Sequence, residues 1–133
     1  MINRVLEEKL KEYSIASVID QENILQELVQ QYVLASLSRA GLFSKTQGIF
    51  HGGTCLRIVH GMNRFSEDLD FLLKQPDPGF TWQGYLEHVV RDGKGEGLSF
   101  KVQPRAEDKT AVKKAFLRTD SFGKDLALLV QYL

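Results

Sequence analysis

Apolar residues recur along the chain at three- and four-residue intervals in some stretches and at two-residue intervals or in short runs in others. Residues 2–13 set Val5, Leu6, Leu10 and Tyr13 among charges at helical spacing, which predicts a short amphipathic helix. Residues 20–40 carry the clearest helical pattern, with Ile24, Leu25, Leu28, Tyr32, Leu34 and Leu37 on a common stripe. Asp20 precedes that stripe as an N-cap candidate, because its carboxylate can accept hydrogen bonds from orphan backbone amides. Gly41 follows it and can take the left-handed backbone that ends a helix. Residues 47–51 predict a short strand, Gly52-Gly53 a break, and residues 54–60 a helix ending at Gly61. A second strand is expected over 69–73, closed by Pro76-Asp77-Pro78-Gly79. Residues 81 to about 91 predict another helix, with Trp82 as its core anchor alongside Tyr85, Leu86, Val89 and Val90. Residues 93–97 predict a turn, and 98–103 and 111–118 predict strands. The apolar run over 126–133 fits a strand or a helix equally.

A chain of 133 residues suits one domain, here 1–133. Lys plus Arg equals Asp plus Glu, 17 against 17, so no global charge recruits nucleic acid or a membrane surface. A local basic patch remains open at Lys113-Lys114. Cys55 is the only cysteine, which fits a reducing compartment. No apolar run approaches the roughly 18 residues of a membrane span, and the N-terminus lacks a signal-peptide stretch, so a cytoplasmic protein is expected. The end on Tyr132-Leu133 carries no polar tail and reads as an incomplete domain.

Two short motifs carry chemistry. In Phe50-His51-Gly52-Gly53-Thr54, a strand runs through two glycines into a helix. Glycine lets the backbone approach a ligand closely, and the helix start offers free N–H groups to an anion such as a triphosphate. Taken alone, this turn is more often structural. In Asp68-Leu69-Asp70-Phe71, strand alternation sends both carboxylates to one face and both apolar side chains to the other. Paired carboxylates repel unless a cation sits between them, and a hard divalent ion with bridging phosphates meets that need. Taken alone, Asp-x-Asp is more often a solvated strand face. The combination is more telling, because the turn, a helix and the Asp-x-Asp strand follow one another within twenty residues.

These runs, Phe50-His51-Gly52-Gly53-Thr54-Cys55-Leu56-Arg57 and then Arg64-Phe65-Ser66-Glu67-Asp68-Leu69-Asp70-Phe71, resemble the AbiEii/AbiGii toxin family of nucleotidyltransferases, within the DNA polymerase β-like superfamily. The likeness is strongest over about 20–75. It implies an α+β fold, a mixed sheet flanked by helices, with N-terminal helices over about 2–40 and a core over about 47–133. It also implies Mg²⁺ as cofactor, a nucleoside triphosphate as substrate, an acceptor that is often RNA, and a cognate antitoxin as partner. By position, the resemblance gives Gly52, Gly53 and Thr54 to the triphosphate, and Asp68 and Asp70 to the metal and catalysis. Arg64 and Ser66 support the loop between them; Arg64 fits phosphate and an ordinary ion pair with Glu67 equally.

The resemblance also implies a third carboxylate, on a strand after the region where these residues end. Asp120 and Asp125 are the late acidic candidates here, and neither stands in the expected strand context. Residues 1–133 alone are therefore expected to bind Mg²⁺-nucleotide weakly and to transfer little. The alternative is a catalytically incomplete domain of the same fold that binds nucleotide or a partner. His51 and Lys74 could meet phosphate, although an edge histidine and a solvated lysine are the commoner readings. His60 and His88 lack metal-ligand spacing, and Cys55 is read as packed.

Overall fold

The computed structural model describes Glu8, Lys11, Ile58 and residues 18–46, 48–52, 68–73, 79–102, 113–119 and 122–132. The helices expected over 2–13 and 54–60 therefore lie almost wholly outside the described residues. The first described helix, α1, spans Val18–Arg39, and the one-and-a-half-turn α2 spans Leu42–Thr46. Strand β1 is Ile49–His51 and β2 is Asp68–Leu73. Helix α3 is Gln83–Gly95, followed by β3 at Phe100–Val102, β4 at Lys113–Thr119 and β5 at Phe122–Tyr132. The strands form one five-stranded sheet in the order β1-β2-β5-β4-β3. Only the β2–β5 pair is parallel; β1–β2, β5–β4 and β4–β3 are antiparallel. The expected α+β arrangement, a mixed sheet with helices against it, is the one observed.

Strand alternation sorts the sheet into two faces. Leu69, Phe71 and Leu73 of β2, Leu126, Leu128 and Val130 of β5, and Ala115 and Leu117 of β4 are buried in one core cluster. Helix α1 fills the other side of that core with Leu25, Leu28, Val29, Val33 and Leu37, and α3 with Leu86 and Val89. Phe71, fully buried, sits 5.7–5.9 Å in ring-centroid distance from Phe43, Phe50 and Trp82. Those tilted ring contacts add to the area term of a buried aromatic. Trp82 is buried, as expected of a core anchor. The opposite residues of the same strands (Asp68, Asp70, Leu72, Ala127, Leu129, Lys114, Phe116, Arg118) are all at least partly exposed. Both long helices thus leave one face of the sheet open among the described residues.

Several element boundaries differ from expectation for identifiable reasons. Asp20 lies inside the first turn of α1, which begins at Val18, so it is not the N-cap. An acidic residue there still suits the positive end of the helix dipole. Gly41 does end the helix in the left-handed region, with φ +92°. Helix α3 continues past Arg91 to Gly95, through Gly93. Gly93 is there for space: a Cβ on it would collide with the Phe100 ring and approach the Leu98 carbonyl oxygen to 3.0 Å. The ambiguous run over 126–133 belongs to the long strand β5, whose buried and half-buried residues alternate strictly from Leu126 to Val130.

A polar cluster ties α1 to α3. The fully buried Ser36 hydroxyl donates to Asp92 Oδ2 at 2.8 Å, and Arg39 Nη2 donates to the same oxygen at 2.9 Å. Those hydrogen bonds, Ser36 first, hold the Asp92 carboxyl below its ordinary value of 3.8. The Arg39 pair is largely solvated and contributes little. The buried Ser36 bond to a charged acceptor matters more. Ser36→Ala is expected to lower stability by about 1–3 kcal/mol at pH 7, read by urea unfolding. A carboxylate whose pKa falls on folding stabilises above its unfolded pKa and loses that contribution as pH drops through the folded value. The gap between wild type and Ser36→Ala should therefore be full at neutral pH and narrow only below about pH 3.8.

Candidate active site

The open face of the sheet carries the Asp-x-Asp motif. Asp68 and Asp70 sit at alternate positions of β2, Asp68 exposed and Asp70 half-buried, with Leu69 and Phe71 buried between and beyond them. Their Cα atoms are about 6.6 Å apart by strand geometry. Two carboxylates at that spacing can converge on one cation with metal–oxygen distances near 2 Å. Among the described residues, no three His, Cys, Asp or Glu side chains gather as a metal cluster.

The glycine turn lies directly against this pair. Strand β1 runs antiparallel to β2 and sets His51 opposite Asp70 in register. Gly52 is the next residue and has φ +86°, a backbone that L side chains rarely adopt. A Cβ built on Gly52 would collide with the Asp70 carboxylate and lie 3.1 Å from both Asp70 Cβ and Cγ. Two independent constraints, conformation and space, therefore demand glycine at position 52. The consequence is chemical: main chain, not side chain, is packed against an aspartate on the open face. Gly53, Thr54, Arg64 and Ser66 lie outside the described residues, as do Cys55, His60, Glu67, Lys74 and Asp120.

Strand β5 supplies the next column of the face. Ala127 pairs with Asp68 and Leu129 with Asp70, in parallel register. Beyond it, β4 places Phe116 opposite Ala127 and Lys114 opposite Leu129. Lys114, Arg118 and, on β3, Lys101 are exposed. The expected basic spot around Lys114 is thus on the same face as the aspartates, two strands away, or about 9–10 Å between backbones. Asp125 stands in β5 itself, its Cα opposite Arg118 and two residues before Ala127. That strand context, parallel to and beside the aspartate strand, was not foreseen. An apolar run that fits helix or strand gives no register from which to foresee it.

A family model for the nucleotidyl transferase AbiEii toxin, described as part of a type IV toxin–antitoxin system, matches residues 32–126, well over half of the chain and including both motifs. The chain belongs to the AbiEii nucleotidyltransferase toxin family. The family suggested by the Gly-Gly-Thr and Asp-x-Asp runs is therefore the one found. Among solved structures, JHP933 from Helicobacter pylori superposes with a TM-score of 0.52 at 21% identity, over 80% of this chain and 44% of that one. A candidate nucleotidyltransferase from H. pylori is similar at 22% identity and a TM-score of 0.49, over 80% of this chain and 45% of its own. At such identity the first likeness speaks for the fold alone. The chain spans less than half the length of either structure. No curated protein matches the sequence. Among the described residues no helix is long and apolar enough to cross a membrane.

Proposed function

We propose that this AbiEii-family chain forms, as one domain, the nucleotide- and metal-binding part of a cytoplasmic toxin that moves a nucleotide from a nucleoside triphosphate to an acceptor such as RNA. A cognate antitoxin would restrain it. The observation that carries the reading is the seating of the Gly52 turn against Asp70 on the open sheet face. Asp68 and Asp70 would hold Mg²⁺. The Gly52-Gly53-Thr54 turn would present amides and a hydroxyl to the triphosphate, with Arg64 and Ser66 supporting the loop between. Bound there, Mg²⁺ would neutralise phosphate charge and polarise the reacting oxygens. Lys114, Arg118 and Lys101 supply positive charge on the same face, which suits an anionic acceptor.

A second reading is a nucleotide- or partner-binding domain that does not itself transfer. It is favoured by Ala127 and Leu129, which face the aspartates across β5 where a further carboxylate would complete a two-metal site. One assay separates the two. Incubated with α-labelled nucleoside triphosphates, Mg²⁺ and RNA, residues 1–133 are expected to bind nucleotide and to leave little label on RNA. Efficient labelling, lost in Asp68→Ala and Asp70→Ala, would remove the second reading and make Asp125 or Asp120 the leading third ligand.

A further inference from the structure

A second cluster of polar side chains lies on the helical side of the molecule, away from the aspartate face. A shallow cavity of about 350 Å³ opens between α2 and α3 and is lined by Lys45, Thr81, Gly84, Tyr85, His88 and Arg91. Gly84, His88 and Arg91 fall at i, i+4 and i+7 on α3, so they share one stripe of that helix. Gly84 contributes no side chain, and a Cβ placed on it would meet nothing within 4 Å. Among the described residues, Lys45 and Arg91 have no ion-pair partner.

The nearby negative charge is already engaged. Asp92 accepts from Ser36 and Arg39 of α1, so its carboxylate faces those donors. The same cluster orients His88. Ser36 gives its only proton to Asp92, so its oxygen must accept from His88 Nδ1, 3.2 Å away. Nδ1 also lies 3.5 Å from Asp92 Oδ2. His88 therefore carries a hydrogen on Nδ1. Glu87, the adjacent acid on α3, accepts instead from Gln83 Nε2 at 3.3 Å.

We propose that this cavity is a phosphate-binding site, distinct from the Asp68–Asp70 face, with Lys45 and Arg91 as its cations. Thr81 lines the same space, and its hydroxyl can donate to phosphate oxygens. The site does not depend on the nucleotidyl-transfer reading, because none of its residues lies on the sheet.

The test is a nuclear magnetic resonance titration of the purified chain with inorganic phosphate and, in a second arm, a nucleoside 5′-monophosphate. Saturable shifts are expected at the Gly84, His88 and Arg91 amides. Tighter binding of the nucleotide than of phosphate would assign a nucleotide; equal binding would assign the phosphate group alone. Gly84→Glu, which sets a carboxylate in open space, and the Lys45→Gln/Arg91→Gln pair should each weaken binding at least fivefold with the melting temperature unchanged. Linear, non-saturating shifts, or affinities unmoved by Gly84→Glu and the double variant, would overturn the site. Asp70→Ala serves as the control for the sheet face and should leave this binding intact.

Discussion

Asp70→Ala is expected to weaken binding of a Mg²⁺-nucleoside triphosphate by roughly 10–100-fold, the scale of one lost charge-assisted contact. Asp68→Ala should act in the same direction. In both variants the residual nucleotide binding should no longer respond to Mg²⁺. The fold should survive, because Asp68 is exposed and Asp70 only half-buried, while the buried residues of β2 are Leu69, Phe71 and Leu73. Thermal stability without metal should change little in either variant, because neither aspartate belongs to the buried core. Calorimetric titration and thermal melts of the same samples check both halves. A variant that lost stability in step with affinity would mark the aspartates as structural.

Gly52→Val is the second large effect, and it acts through backbone and packing together. A non-glycine residue held in the left-handed region costs about 1–2 kcal/mol, and a β-branched one is worse placed there. The new side chain must also displace the Asp70 carboxylate or the turn itself. A loss of several kcal/mol in urea unfolding is expected, together with loss of Mg²⁺-nucleotide binding. Gly52→Ala should show the milder form, with binding falling further than stability. The two causes separate in a double-mutant cycle. Combined with Asp70→Ala, Gly52→Ala should recover the part of its penalty due to the collision and keep the part due to φ. Strict additivity would mean that the Asp70 contact does not matter.

Much of this arrangement was legible in the residues because short-range rules dictate it. Leu69 and Phe71 alternate with Asp68 and Asp70, and a period of two admits only one assignment of faces once the apolar pair is buried. Gly41 and Gly52 were marked as breaks, and both have left-handed backbones. Other features depend on contacts distant in sequence. The extent of α3 is set by the Phe100 ring, which needs Gly93 bare and so carries the helix through a glycine that reads locally as a stop. The role of the 126–133 run was hidden because both its faces are partly apolar, as expected of a strand inside a sheet with a parallel neighbour. The placing of Ala127 and Leu129 beside the aspartates follows only from that pairing. The Ser36–Asp92 cluster was missed for the same reason. Its local signals, Ser36 with Arg39 on one helix and His88 with Asp92 on another, are ordinary helix-face spacings until α1 and α3 pack together.

Calorimetric titration of the chain with each nucleoside triphosphate, once with Mg²⁺ and once with the metal chelated, tests the central claim most directly. The account predicts saturable binding of at least one triphosphate that requires Mg²⁺ and is lost in the Asp68→Ala/Asp70→Ala double variant. Binding of equal strength without metal, or no binding of any triphosphate, would contradict it and leave the Gly52 turn and the Asp-x-Asp strand as structure alone.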